Sequence, residues 1–385
     1  MDRRTREYLS GRFGDYYRRA EPTLPPDPDA REWGHIPWTR GESTTMIRHQ
    51  SIYDLGDVSD FLAREAPRHV YFSAARYDDP GADSMDEKGW QGADLVFDLD
   101  ADHLPSVDPE DATYAEMLAA CKDALQRLLD LLETDFGFED VTVVFSGGRG
   151  YHVHVRDDGL ADLDSEARRE IVDYVRAVDL DVEGLVRTRA VGSTTRRELR
   201  TGGGWGRRTH RRLEAFVDEL RDLDEAAARE RLIAFDGIGE GRADTLLDAF
   251  VDSEAVARGN VEAGGPGARL LVEALAHETV AHETAPIDEP VTTDTHRLIR
   301  LPGSLHGGSG LVVRRIERSA LDDFDPLVDA VPDRFTERSI HVEVTDPGTV
   351  ELSGDSFTLD AGEHSVPECV GVFLMTRNRA RKVKE

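Results

Sequence analysis

Lysine is almost absent from this chain. Lys88, Lys122, Lys382 and Lys384 are its only four among 385 residues, so nearly every cation is an arginine. Cysteine is scarcer still, with Cys121 and Cys369 alone. Two thiols so far apart argue against a disulfide scaffold and fit a reducing, cytoplasmic interior. No stretch reaches the roughly 18 uncharged apolar residues of a membrane span. The opening residues, MDRRTREYLSGRFGDYYRRAEP, lack the apolar centre of a signal peptide. They read as an amphipathic helix with Tyr8, Phe13, Tyr16 and Tyr17 turned inward.

What is abundant is acid. Asp and Glu outnumber Lys and Arg by 77 to 47, giving a formal charge of -30. An acidic, lysine-poor surface is the pattern of proteins that work in concentrated salt, where repulsion keeps them soluble and screening makes it tolerable. The same salt removes most of the counterion-release gain from phosphate contacts. A nucleic-acid enzyme of this composition must rely on metal ions, bidentate arginine and hydrogen bonds. Composition alone equally describes an acidic protein that binds no nucleic acid. The length suffices for a sizeable core and one large or two ordinary domains.

Three segments carry chemistry. In DLVFDLDADH (Asp94–His103) an apolar run delivers Asp98 and Asp100 at spacing i, i+2, one face of a strand. Adjacent carboxylates repel unless a cation sits between them. Read alone, the pair is most simply a strand end entering an acidic turn. In VTVVFSGGRGYHVHVR, strands at Val141–Phe145 and Tyr151–Val155 flank the turn Ser146-Gly147-Gly148-Arg149-Gly150. Glycines let backbone N–H groups face an anion, and Arg149 adds a planar fork for phosphate oxygens. His152 and His154 share one face. Such a turn is equally well a plain hairpin. The third segment, PIDEPVTTDTHRLIRLPGSLHGGSGLVVRR, holds Asp288, Asp294, Arg297, Arg300, Ser304 and His306.

Between these segments the pattern is strand-like at His69–Ser73 and Leu95–Asp100 and helical from about Thr113 to Thr134. It is mainly helical again over 165–279, at Glu166–Val178, Arg212–Leu223, Asp224–Ala234, Ala243–Asp252 and Gly267–Glu278. Gly202–Arg212 (GGGWGRRTHRR) reads as a basic glycine-rich loop. It is either solvated and mobile or a template contact through Trp205, Arg207, Arg208, Arg211 and Arg212. Gly237–Gly241 (GIGEG) is too short a glycine pattern to assign. Ile340–Val344 and Ser356–Leu359 read as late strands.

Taken together, DLDADH at Asp98–His103, SGGRGYHVHV at Ser146–Val155 and RLIRLPGSLHG at Arg297–Gly307 resemble the catalytic small subunit of archaeal and eukaryotic primases. Weaker echoes are REWGH (Arg31–His35), HVYFSAARYDDP (His69–Pro80) and VPECVGVFLMTRNRA (Val366–Ala380). The resemblance implies an α/β (α+β) primase fold with an RRM-like catalytic sheet and a mainly helical inserted subdomain. Its division would be 1–164 and 281–385 for the catalytic core and 165–280 for the helical part.

The resemblance also implies primer synthesis on single-stranded DNA from nucleoside triphosphates. It makes Asp98, Asp100 and Asp288 the holders of two divalent ions, Mg²⁺ or Mn²⁺, roughly 3.5–4 Å apart. Ser146, Arg149, His152 and His306 become the phosphate contacts. A larger iron–sulfur subunit is the implied partner. Two departures stand out: Gly308 occupies a position where many archaeal members carry lysine, and the residues after Asp100 offer only His103 and Cys121. These are too few ligands for the family's zinc knuckle, so no structural zinc is expected. A repair polymerase of the same superfamily, a two-metal nuclease and a non-catalytic binding module remain the alternatives.

Overall fold

Apolar runs become paired strands, and the most periodic segment becomes a long helix. The computed structural model describes residues 1–39, 45–108, 111–191, 194–251 and 255–384. The chain opens with helix α1 (Arg3–Tyr17), whose first turn is capped by Asp2 on the Thr5 N–H at 3.1 Å. Leu9, Phe13 and Tyr17 form its buried face. Then come strands β1 (Trp33–Ile36) and β2 (Ile47–Gln50), helices α2 (Ile52–Leu55) and α3 (Val58–Glu65), and strand β3 (His69–Ser73). Strands β4 (Ala75–Tyr77), β5 (Trp90–Ala93) and β6 (Leu95–Asp100) precede helix α4 (Tyr114–Leu131). Strands β7 (Val141–Phe145) and β8 (Gly150–Val155) lead to helix α5 (Ser165–Val175). A hairpin of β9 (Val186–Val191) and β10 (Thr194–Leu199) is followed by helices α6 (Gly204–Arg221), α7 (Glu225–Ile233), α8 (Glu240–Phe250) and α9 (Gly265–Glu283). The last part contains α10 (Glu289–Thr293), β11 (Leu298–Arg300), β12 (Arg314–Ile316), α11 (Pro326–Asp329), β13 (Ser339–Val344), β14 (Gly348–Leu352), β15 (Asp355–Leu359), β16 (Gly362–Pro367), α12 (Glu368–Thr376) and β17 (Ala380–Lys382).

Two compact units result. The first is Met1–Gln126, Phe138–Val172 and Pro286–Glu385; the second is Arg127–Gly137 and Asp173–Ala285. The first unit carries two four-stranded sheets, ordered β11-β3-β1-β2 and β12-β7-β8-β6. All their pairings are antiparallel, so the class is α+β. Strand β8, an inner strand of its sheet, is buried at all six positions. Leu118, Cys121 and Leu125 of α4 are buried at helical spacing, and the Cys121 thiol donates to the Leu99 carbonyl of β6 at 3.6 Å.

The second unit corrects one reading of the sequence. Gly202–Arg212 is not a basic loop: α6 begins at Gly204, and its first turns contain those arginines. Trp205 is buried, and its Nε1–H donates to the Tyr174 carbonyl at 3.0 Å. Arg208 is buried among Asp130, Asp135 and Glu283 at 2.6–2.7 Å. Arg207, Arg211 and Arg212 are also closed by carboxylates, on Asp135, Glu283 and Glu219 at 2.6, 3.2 and 2.9 Å. An arginine already satisfied this way has little left for a phosphate. Gly203 and Gly204, at φ 144° and 56°, make the turn into the helix, which is why the segment reads as a loop. The expected helix over Ala243–Asp252 corresponds to α8, and its last residue falls outside those described.

Arginine is spent inside the first unit as well. Buried Glu368 takes Arg12 and Arg338 at 2.8 Å each. Buried Asp94 takes Arg31 at 3.0 Å and Arg156 at 2.8 Å. Each such pair withdraws charge of both signs, so the chain's excess of acid, a net charge of -30, is left for the surface. Stability is therefore expected to rise with salt, as the screening length falls from about 10 Å at 0.1 M to about 3 Å at 1 M. A melting temperature equal at both concentrations would contradict this. No helix among the described residues is long and apolar enough to cross a membrane.

Candidate active site

Strand β6 ends at the first candidate group. In the β6–β8 ladder Asp98 stands opposite His152, Leu99 opposite Tyr151 and Asp100 opposite Gly150. Gly150 is obligatory here, because a Cβ at this position would fall 1.8 Å from the Leu99 carbonyl oxygen. His152 Nε2 lies 3.5 Å from Asp98 Oδ1. Burial, reinforced by the charges of Arg300 and Arg297, holds the His152 imidazole down at about 3, so it is neutral at physiological pH. The contact is a carboxylate against a neutral ring, not an ion pair. His152 Nδ1 is buried with no hydrogen-bond partner.

Asp98 is an acid under strain. Burial pushes its carboxyl up to about 6, Asp100 beside it and Asp288 add to the rise, and Arg300 and Arg297 pull the other way. Asp288 is brought there by the backbone: its N–H donates to the Asp98 carbonyl at 2.9 Å. It sits at the N-cap of the short helix α10, and its carboxylate makes no cap bond. Asp294 is exposed, and its side chain accepts the His296 N–H at 2.9 Å. It therefore closes the turn that leads into strand β11, Leu298–Arg300. One cleft is lined by Tyr71, Asp98, His152, Asp294, Arg297 and Arg300.

The second group gathers at the β7–β8 turn. Ser146 is buried, and its hydroxyl accepts the Gly148 N–H at 3.3 Å, which shapes the glycine turn. Gly147, at φ 76°, lies so close to His306 that a side chain there would meet its Cβ at 2.6 Å. Thus the second and third sequence segments meet in space. His306 Nδ1 is held by the Gly308 N–H at 3.3 Å and by Ser309 Oγ at 3.1 Å. Its Nε2 edge has no protein hydrogen bond among the described residues and faces Gly148. Burial, then Arg300 and His69, keeps this imidazole well below its usual range, hence neutral. Gly308 serves through its backbone: a Cβ there would come within 3.0 Å of His306 Cε1, so a lysine would crowd the ring it follows. The Arg149 guanidinium is engaged by Asp102.

Sequence reasoning left several residues out of the site. Arg297 and Arg300 were visible in the third segment but gained no role; both bear on Asp98 and His152. Tyr114 donates its hydroxyl to the Gly148 carbonyl, and Arg377 lies over its ring at 4.5 Å. Tyr114 opens α4, and Arg377, although it falls within the VPECVGVFLMTRNRA echo, follows α12; both come from distant parts of the chain.

Among the described residues no three His, Cys, Asp or Glu side chains are already gathered as tightly as a bound metal would hold them. The donor set nevertheless suits a hard cation. It offers carboxylate oxygens, and Asp98, raised first by burial and then by the charges of Asp100 and Asp288, is a group whose ionised form a cation would favour. Near His103, Cys121 is buried and its thiol is pushed far up, by burial first. Protein prepared without added metal is expected to carry no stoichiometric zinc; elemental analysis finding about one zinc per chain would contradict this.

Comparison with known proteins gives the family. The model of the DNA primase small subunit family matches residues 97–318, a span that holds both groups. The chain is similar to the DNA primase small subunit of Halorubrum lacusprofundi, at 67% identity over all of both chains. It is 59% identical to that of Haloarcula marismortui, again over all of both, and 39% identical to that of Methanococcoides burtonii over 99% of each. The chain belongs to the DNA primase small subunit family. Primer synthesis on a DNA template, a nucleotidyltransferase activity, follows for a family member that matches its relatives from end to end. These comparisons do not favour the nuclease and repair-polymerase alternatives. The acid-rich composition fits the company of relatives from halophilic archaea such as Halorubrum and Haloarcula.

Proposed function

We propose that this primase subunit joins nucleotides by a two-metal mechanism in which Asp98, Asp100 and Asp288 hold the ions, Mg²⁺ or Mn²⁺. The observation that carries this is the convergence of Asp98, on a buried strand, with Asp288, whose backbone is bonded to it at 2.9 Å. When bound, such ions lower the pKa of the attacking 3′-hydroxyl and neutralise the triphosphate and the leaving pyrophosphate.

The chain's own residues do the positioning. His306 presents a neutral ring whose free Nε2 edge faces the glycine turn, a place for triphosphate oxygens. The Gly147–Gly148 backbone approaches His306 as closely as only glycine permits. Arg149 offers a planar fork once its contact with Asp102 is exchanged for phosphate. Arg297 and Arg300 offset the negative charge that develops beside Asp98. His152, neutral and packed against Asp98, fixes that carboxylate's orientation and contacts the phosphates from β8. Ser146 holds the turn in shape. No covalent enzyme intermediate is required.

In this reading residues 1–164 and 281–385 form the catalytic core and 165–280 the helical subdomain. The template is single-stranded DNA, and a larger iron–sulfur subunit is the partner, for two cysteines cannot hold such a cluster in this chain. The enzyme acts in the cytoplasm. The test is synthesis on unprimed single-stranded DNA with all ribo- and deoxyribonucleotides, Mg²⁺ or Mn²⁺, and a range of salt. Strands formed only when both nucleotides and a divalent ion are present support the proposal. Cleavage of labelled DNA without nucleotides, and no incorporation with them, would overturn it.

A further inference from the structure

One element carries charge of the opposite sign to the rest of the protein. Within Val186–Arg200, Arg187, Arg189, Arg196, Arg197 and Arg200 face a single acid, Glu198, in a chain whose net charge is -30. The β9–β10 register explains where they stand. Arg196 pairs with Arg189 and Glu198 with Arg187, so Arg187, Arg189 and Arg196 share one face of the hairpin. All five arginines are exposed.

Directly opposed like charges destabilise a strand pair, and nothing nearby offsets them well. Arg189 meets Glu198 at 3.7 Å and Arg197 meets Glu262 at 4.0 Å. Among the described residues no carboxylate closes on Arg187, Arg196 or Arg200. The arginines of α6, in the same unit, show the contrast, each being held by an acid at 3.2 Å or less. The hairpin's charge is thus open, while that of α6 is spent.

Protection of an exposed sheet edge is the plainer role for charges on a two-stranded ribbon. Acids would serve that purpose equally, and they outnumber Lys and Arg by 77 to 47 in this chain. The hairpin itself is held firmly on the β10 side. Leu199 N–H donates to the Gly259 carbonyl at 2.8 Å, Val261 N–H to the Arg197 carbonyl at 3.2 Å, and Arg197 N–H to Glu262 at 2.9 Å. Its β9 side carries no third strand among the described residues. The lining of a shallow concavity beside it includes Arg187, Arg189 and Arg200, with Glu198 the one acid among them, and Thr188 and Thr201. A protein partner calls for an apolar centre, and among the described residues none of the exposed large apolar side chains belongs to this hairpin. There is also no aromatic ring for base stacking. What remains is recognition of a repeating anion.

We propose that the β9–β10 hairpin is a docking surface for the phosphate backbone of single-stranded nucleic acid, contacted through Arg187, Arg189 and Arg196 without regard to sequence. The inference rests on the primase reading for its occupant, the template strand, but not on the metal site.

The test is binding of a fluorescein-labelled oligo(dT) strand to the full chain, without divalent ions, across the salt range in which the protein stays folded. Arg189→Ala/Arg196→Ala is expected to weaken binding about 10-fold at the lowest salt. It should also reduce the slope of log K against log salt by about 1.4, at about 0.7 per lost phosphate contact. Arg189→Lys/Arg196→Lys should keep most of the affinity and the slope. Unchanged binding and slope in the alanine variant overturn the proposal, as does equal loss in the lysine variant, which would show that fold rather than charge is at stake. Unchanged DNA binding with loss of a co-purifying protein would assign the hairpin to a protein partner and also overturn it. Asp98→Asn is the control that separates the two claims. It should lose synthesis and bind oligo(dT) normally, and full activity in that variant would defeat the metal assignment while leaving the hairpin result standing.

Discussion

Asp98→Asn removes nucleotide incorporation and yields a more stable protein. The loss is expected to reach about 10³-fold or more, because one missing carboxylate takes several kcal/mol of charge stabilisation from the transition state. The gain in stability has a separate origin. The Asp98 carboxyl stands at about 6 in the folded chain, against about 3.9 for an unfolded aspartate. The folded state therefore holds its proton more tightly than the unfolded state does. Stability falls as pH rises through the window from about 4 to about 6, and the cost is complete above it. Asparagine avoids that cost. In divalent-free buffer at pH 7 the variant should exceed the parent by on the order of 1–3 kcal/mol, and the gap should close toward pH 4. Thermal or denaturant unfolding across this range checks it. A variant that is inactive because it is destabilised at pH 7 would refute the assignment of Asp98 as a strained functional acid.

The second large effect separates two neighbouring acids. Asp288→Asn should abolish synthesis, again by about 10³-fold or more, and leave the fold intact. Asp294→Asn should stay within a few-fold of the parent. Asp288 is half-buried, shares a backbone bond with Asp98 and raises the Asp98 pKa; Asp294 is exposed and holds a turn through the His296 N–H. Asparagine accepts that bond as well as aspartate does. Both variants are measured by labelled nucleotide incorporation on single-stranded DNA. An active Asp288→Asn with an inactive Asp294→Asn would move the third ligand to Asp294, which also borders the cleft.

Much of the catalytic sheet was legible because its strands are short apolar runs with clear ends. Leu95–Asp100 and Val141–Phe145 match β6 and β7, and Tyr151–Val155 lacks only Gly150 of β8. Which residues face each other was not legible. The Asp98–His152 pairing depends on β6 lying beside β8, although β7 stands between them in the chain. The places of Tyr114 and Arg377 were hidden for the same reason, since each is set by tertiary packing. Asp288 was found by resemblance, whereas its true local setting, the start of a five-residue helix, left little pattern to read. The hairpin Val186–Leu199 was missed because arginines alternating with small residues look like a solvated stretch. Gly202–Arg212 failed in the opposite sense: three glycines before a helix imitate a loop, and only the acids gathered around Arg208 show that its charge is already used.

Three carboxylates acting as one ion site are the centre of this mechanism, and counting bound Mn²⁺ by electron paramagnetic resonance in the presence of nucleoside triphosphate tests it most directly. About two Mn²⁺ per chain are expected for the parent, with a clear loss in Asp98→Asn and in Asp288→Asn and none in Asp294→Asn. The same Mn²⁺ count and affinity in all four proteins would contradict it.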